Sequence, residues 1–320
     1  MPFITDIEGI EVGHATDLDA ITGCTVILCK EGAVGGVDIR GGATGTRELD
    51  PLFSGHLVEK VHAILLSGGS AFGLDASGGV MKWLEERGIG FDVGITKVPI
   101  VPTAIIFDLW IGNPKKRPDF SMGYLACENA TSQLPGEGSV GAGTGATVGK
   151  VLGVDHAMKG GIGSWAMTLP GGVKVGALTV VNAWGDVLDP ETRQVLVGTR
   201  TTAKGHEFAE STKLVLEAKT VTQYNTQNTT LSVIATNALL RKAQASRIAT
   251  MAQDGLARSI SPVHTQFDGD LVFVLSTGKL RADLNLLGVA AAETVSHSIT
   301  RAVKSAKSLG GIPSWEMLRK

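Results

Sequence analysis

Two short segments carry the residues whose types and spacing suit covalent chemistry. The first is QNTTLSVIAT, where Asn228 and Thr229 stand between a polar run, TVTQYNTQNTT, and an apolar stretch that reads as a buried strand. A threonine hydroxyl inside a chain is a poor nucleophile because no base sits beside it. A threonine released as a new N-terminus carries its own α-amine, of reference pKa about 7.7–8.0, to take the proton. Breaking the Asn228–Thr229 bond would therefore make the catalyst, by attack of the Thr229 hydroxyl on the Asn228 carbonyl to give an ester that water hydrolyses. The plainer reading is a turn followed by β-branched residues. The second segment, SPVHTQFDGDLVFVLST, sets Asp268 and Asp270 two apart around Gly269, just ahead of another strand. A carboxylate pair there could hold and polarise the Thr229 hydroxyl and amine, with like-charge proximity raising one carboxyl pKa. Asp-Gly-Asp is also a common solvated turn. A calcium site is a third reading, although the ligand pattern of an EF-hand is absent.

The elements that must position these residues read as short β-branched strands followed by helices. CTVILC, VHAILLSGG, IVPTAIIFDL and GGVKVGALTVVNAWG are strand-like. SAFGLDASGGVMKWLEERG has helical spacing, a serine-rich turn to cap its start and a stop at Arg87–Gly88. After Asp186 the chain becomes more polar, and residues 190–228 read as a linker or exposed loop entering the LSVIAT strand. Beyond it, LLRKAQASRIATMAQDGLARSI, DLVFVLST and LNLLGVAAAETVSHSITRAVKSA read as helix, strand and helix. This order predicts a layered α+β architecture. The glycine-rich stretches SGGSAFGLDASGG and GSVGAGTGATVGK, the latter ending in Lys150, fit neither a P-loop nor G-x-G-x-x-G. Tight turns and close packing account for them better than phosphate binding.

Composition narrows the field. At 320 residues, 43% hydrophobic and 19% charged, the chain suits one large compact domain or two modest ones. Lys+Arg 29 against Asp+Glu 31, with no basic run, argues against nucleic acid. The start, MPFITDIEGIEVGHATD, is acidic where a signal peptide is basic and then apolar, and no apolar stretch reaches the roughly 18 residues of a membrane span. A soluble, cytoplasmic protein with no membrane partner is expected. Cys24, Cys29 and Cys127 lack metal-ligand spacing and read as buried thiols, and His14, His56 and His62 sit in contexts that specify no catalysis. The chemistry outlined requires no metal or organic cofactor.

Taken together, DIRGGATGTRE, ILLSGGSAFGLDASGGV, AIIFD, GAGTGATVGK, TVVNAWG, QNTTLSVIAT and HTQFDGDLVFVLST span nearly the whole chain. In them the chain resembles the L-aminopeptidase/D-esterase (P1-family) peptidases, most closely the branch of endo-type nylon (6-aminohexanoate) oligomer hydrolases. The resemblance implies a four-layer αββα sandwich of the type shared with ornithine acetyltransferases and related to N-terminal nucleophile hydrolases. It implies a single domain, residues 1–320, autocleaved into an α chain, 1–228, and a β chain, 229–320, with the processed heterodimers assembled as a homotetramer. Thr229 matches the nucleophile, Asn182 in TVVNAWG the oxyanion-hole asparagine, Lys150 a lysine near the scissile bond, and Asp268 with Asp270 the acidic pair. The implied substrate is a short peptide, an amino-acid amide or a linear oligoamide. The aminopeptidases that name the family resemble Gly-Ser at the cleavage point and Ser-x-Glu at the acidic pair. This chain has Asn-Thr and Asp-Gly-Asp there, which puts exo-aminopeptidase specificity in doubt. Acyl transfer of the ornithine acetyltransferase type is the alternative reaction, and a non-catalytic glycine-rich or nucleotide-binding scaffold the alternative class.

Overall fold

The strand segments read as near-continuous apolar runs because both of their faces are covered. A computed structural model of the chain, describing residues 2–219 and 227–319, places nine strands in one hydrogen-bonded sheet that doubles back on itself. They are β1 (Glu11–Asp17), β2 (Thr22–Ile39), β3 (Thr46–Arg47), β4 (Lys60–Ser67), β5 (Thr103–Ile105), β6 (Gly161–Thr168), β7 (Lys174–Asn182), β8 (Thr229–Ala238) and β9 (Leu271–Leu280). Their order is β6-β7-β8-β9-β2-β4-β5-β3, with β1 on β2. The doubling runs through the 18-residue β2. Its first part pairs with β4 through Cys24–Leu28, the pairing slips between Leu28 and Ala33, and its last part pairs with β9 from Val34 to Ile39.

Side chains alternate between three cores, which is what makes four layers. Ile27, Ile64 and Leu66 from one sheet layer meet Leu178, Val180, Leu231, Val233, Leu271 and Phe273 from the other. Their sequence neighbours point outward. Val26, Leu28, Ala63 and Leu65 pack on α1 (Ala76–Glu85) and α2 (Phe120–Glu128). On the far side Val181, Ile234, Val272 and Val274 pack on α4 (Lys242–Ser259) and α5 (Leu284–Ser305). The result is the αββα sandwich that the resemblance implied.

Several local expectations are amended. The serine-rich turn does not cap α1 with a side chain; residues Ser70–Asp75 form 3-10 turns that run into it. Only Thr103–Ile105 of IVPTAIIFDL is strand. The segment after residue 190 is not simply an exposed linker, since it contains a strand at Val195–Val197 and the short α3 (Ser211–Leu216). A buried carboxylate holds it: Asp186 accepts from the Thr199 N–H at 2.8 Å, the Ser211 N–H at 2.7 Å and the Ser211 hydroxyl at 2.6 Å. Residues 220–226 of that segment lie outside the described residues. Cys24, Cys29 and Cys127 are free and buried, as expected. Among the described residues no helix is long and apolar enough to cross a membrane.

Close packing of α5 on β6 depends on Gly163. A Cβ at that position would lie 2.3 Å from the Ala302 nitrogen and 2.4 Å from the Ser298 carbonyl oxygen, both backbone atoms of the helix. Gly163→Ala is therefore expected to lower the unfolding free energy by about 1–3 kcal/mol or more. Denaturant titration against the parent protein measures it, and an unchanged midpoint would refute the packing account.

Candidate active site

β8 and β9 run parallel in one register, with Leu231 beside Leu271, Val233 beside Phe273 and Thr236 beside Ser276. The helix α4 carries the chain back between them, the kind of crossover that parallel neighbours require. The residues that open β8 must then lie beside those that lead into β9. The same register extends backward past Thr229, because Asn228 forms a parallel bridge with Asp268. The Asn228 N–H donates to the Phe267 carbonyl at 2.8 Å, and the Gly269 N–H donates to the Asn228 carbonyl at 2.7 Å. β7 is antiparallel to β8, so its last residue, Asn182, stands opposite Thr229. Three sheet positions thus converge on one peptide bond.

Thr229 is buried, and its hydroxyl donates to the carbonyl oxygen of Asn228. That oxygen therefore receives both the hydroxyl and the Gly269 N–H. Asp270 accepts from the Thr230 N–H at 2.6 Å with one oxygen; the other accepts from the His264 N–H at 3.1 Å and lies 2.9 Å from His264 Nδ1. Asp268 accepts from the Trp184 N–H at 3.3 Å, the Thr265 N–H at 3.1 Å and the Thr265 hydroxyl at 2.6 Å. These partners are N–H and O–H donors, which suit carboxylates being held in place and not carboxylates ligating calcium. Both acids are buried, so the solvated-turn reading also falls. Burial, and then the neighbouring Asp270, push the Asp268 carboxyl well above its usual range.

The turn is clamped from its other side by the DIRGGATGTRE segment. Ala43 N–H donates to the Asp268 carbonyl at 2.8 Å, while Arg40 and Gly41 N–H groups donate to the Asp270 carbonyl at 3.0 and 3.1 Å. A Cβ on Gly41 would lie 2.3 Å from both the Asp268 oxygen and the Asp270 nitrogen, so only glycine admits this contact.

Asn182 is oriented by its neighbours. Its Oδ1 accepts from the Thr147 N–H and from Lys150 Nζ, each at 2.9 Å, which leaves Nδ2 to donate to the Phe107 carbonyl at 3.0 Å. The amide nitrogen has a second hydrogen to offer. Lys150 is wholly buried, and its other contacts are the Thr147 carbonyl at 2.9 Å, the Thr147 hydroxyl at 3.1 Å and the Asn182 carbonyl at 3.1 Å. It therefore reaches Thr229 through Asn182. Burial pulls its ammonium down to about 7, against the opposing pull of the Asp268 carboxylate.

All six residues singled out from the sequence, Lys150, Asn182, Asn228, Thr229, Asp268 and Asp270, meet here. His264, Thr265, Trp184, Phe107, Thr147 and Gly269 join them without having been marked by the sequence as site residues. His264 alone has a conspicuous side chain, and it lies in the quoted HTQFDGD motif; the others act mainly through backbone groups, which leave no residue signature. His14 and His62 belong instead to strands β1 and β4, where burial pulls each ring down to about 4, and His56 is exposed.

The αββα sandwich built around the parallel β8–β9 pair is a known fold. Solved structures share it. The L-aminopeptidase D-Ala-esterase/amidase from Ochrobactrum anthropi, described as a new variant among the Ntn hydrolase fold, superposes with TM-score 0.73 at 19% identity over 97% of this chain and 88% of that one. The PH0078 protein from Pyrococcus horikoshii OT3 superposes with TM-score 0.74 at 22% identity over 99% and 92%. By sequence, an uncharacterized aminopeptidase of Mycobacterium tuberculosis is 42% identical over 345 residues, covering 98% of this chain and 97% of that protein. A 6-aminohexanoate-oligomer endohydrolase of Kocuria sp. is 32% identical over 319 residues, covering 93% and 85%. The chain belongs to peptidase family S58, whose model matches residues 3–315, and is by class a hydrolase of amide bonds.

The buried lysine gives a direct check on the site's electrostatics. With Cε-labelled lysines followed by NMR, Lys150 and Lys159, each pulled to about 7 by burial, should titrate apart from exposed lysines near about 10.4. Lys150→Met should remove one of these signals. Because the folded pKa lies below the unfolded one, the burden on stability is full below about 7 and vanishes above about 10.4. The melting temperature of Lys150→Met relative to the parent should therefore rise as the pH is lowered through that window. Uniform titration near 10 would show that the lysine is not buried as described.

Proposed function

We propose that the chain cleaves itself between Asn228 and Thr229 and that Thr229, as a new N-terminus, is the nucleophile of an amide hydrolase acting on short peptides, amino-acid amides or linear oligoamides. The observation that carries this reading is the Thr229 hydroxyl resting on the Asn228 carbonyl oxygen, which also takes the Gly269 N–H. Hydroxyl attack on that carbon forms the ester as the peptide C–N bond breaks. The proton passes to the departing Thr229 nitrogen, and water then hydrolyses the ester. The α-amine so freed serves as base when the hydroxyl attacks a substrate amide, and the acyl-enzyme is hydrolysed in the same way. Asn182 Nδ2 donates to the developing oxyanion, with Lys150 on its Oδ1 holding the amide in orientation. Asp270 fixes the backbone at Thr230, and Asp268, raised by burial and by Asp270, is assigned the exchange of a proton with the hydroxyl or amine. The likeness to both aminopeptidases and an oligomer endohydrolase supports amide hydrolysis over acyl transfer.

Intact mass under denaturing conditions tests the first step. Two masses summing to the full chain plus one water, the smaller beginning TTLSV, are expected, whereas Thr229→Ala should stay whole and inactive. A cleaved Thr229→Ala protein would sink the reading. In the processed enzyme, replacing the oxyanion donor by Asn182→Ala should lower kcat by roughly 100–1,000-fold with a smaller effect on KM; an unchanged kcat in Asn182→Ala would exclude that role.

A further inference from the structure

Asn228 occupies a place that a substrate must later fill. When Thr229 attacks the chain itself, the ester formed is an acyl-enzyme whose acyl group is the residue Asn228. When it attacks a substrate, the ester has the substrate's acyl residue on the same oxygen, and the same water attack releases it. The two intermediates differ only in what the acyl carbon carries. Their carbonyls need the same donors, so the acyl residue of a good substrate should lie as Asn228 lies.

The geometry at Asn228 is that of one residue of an added parallel strand. Its N–H donates to the Phe267 carbonyl at 2.8 Å and its carbonyl receives the Gly269 N–H at 2.7 Å. This is an in-register continuation of the β8–β9 ladder. Its side chain is wholly buried, with Nδ2 reaching the Phe267 carbonyl at 3.3 Å. The Phe267 ring packs on Trp184, ring centroids 5.2 Å apart. Two fixed backbone groups, one acceptor and one donor, therefore measure the separation between the acyl residue's N–H and its own carbonyl.

From this we infer that the backbone of Phe267 and Gly269 is the acyl-side subsite, and that it selects α-aminoacyl residues carrying an N–H, bound as a strand beside β9. This rests on Thr229 being the nucleophile. An α-residue spans the two groups as Asn228 does. A β-residue inserts a methylene between them, and a 6-aminohexanoyl unit inserts several, so each loses one of the two hydrogen bonds. The subsite thus favours α-peptides with an asparagine-like residue on the acyl side over nylon-type oligomers, and the processed chain's own Asn228 must vacate it before turnover.

The test uses the processed enzyme and a set of p-nitroanilides that copy its own junction. The parent is acetyl-Thr-Gln-Asn-p-nitroanilide. One analogue has an ester oxygen in place of the asparagine N–H, a second has β-homoasparagine, and the linear 6-aminohexanoate trimer is assayed alongside. Loss of a hydrogen bond to a buried acceptor predicts that the ester-linked analogue falls roughly tenfold or more in kcat/KM, with the β-homologue at least as poor. Parent and ester-linked analogue turned over equally, or the 6-aminohexanoate trimer turned over in place of the parent, overturns the subsite while leaving the hydrolase intact. No turnover of any amide by a chain shown to begin at Thr229 overturns the hydrolase reading and the subsite with it.

Discussion

The parallel ladder between β8 and β9, kept in one register from Thr236 beside Ser276 back to Asn228 beside Asp268, places a hydroxyl, a peptide carbonyl and two carboxylates within reach of one another. Side chains in a strand alternate with period two, so a slip of one residue would turn Thr229 to the opposite face. The register cannot slip cheaply because β8 is buried on both sides. Leu231 and Val233 face the core between the sheet layers, while Ile234 faces α4 and α5. The precision of the site is thus inherited from the cores on either side of it.

That precision is obtained at an electrostatic cost. Lys150, Asp268 and Asp270 are withdrawn from water, and close by Lys159 and Asp108 form another buried set. Lys159 Nζ is satisfied by the carbonyls of Thr144 and Ala146 at 2.7 and 2.8 Å, and burial pulls it down to about 7. Asp108 accepts from the Thr22 hydroxyl and the Gly69 N–H, both at 2.7 Å, and it follows directly on Phe107, whose carbonyl receives Asn182 Nδ2. Backbone groups of the glycine-rich loops are thus among the partners of Lys150, Lys159 and Asp108. Glycine lets several chain segments approach closely enough to offer them, which accounts for 42 glycines in a chain that matches neither familiar phosphate-binding motif.

Much of the fold was legible locally. Apolar runs marked β2, β4, β7, β8 and β9, and helical spacing marked α1, α4 and α5, because each depends on periodicity along a short window. The candidate site was legible as residue types, from Asn-Thr before a strand and from Asp-Gly-Asp. The role of His264 beside Asp270 was not, since nothing in a histidine's neighbours states which carboxylate it will meet. The order held by Asp186 across the polar stretch after residue 190 was hidden for a related reason: composition there reports solvation on average, and one buried acid reverses it.

By itself the sequence determined which groups are available: a threonine poised at a strand's first residue, an amide donor, two acids, a lysine, and near-continuous apolar strands that call for a layered α+β fold, the four layers being what the resemblance implied. Tertiary structure alone decided that the Asn228 carbonyl takes the Gly269 N–H, that Asp268 answers to Thr265 and Trp184, and that Lys150 acts through Asn182. The physical reason is that most of these contacts join segments tens of residues apart, largely through backbone N–H and C=O groups. Every residue but proline carries both, so only the register between strands can say which of them meet.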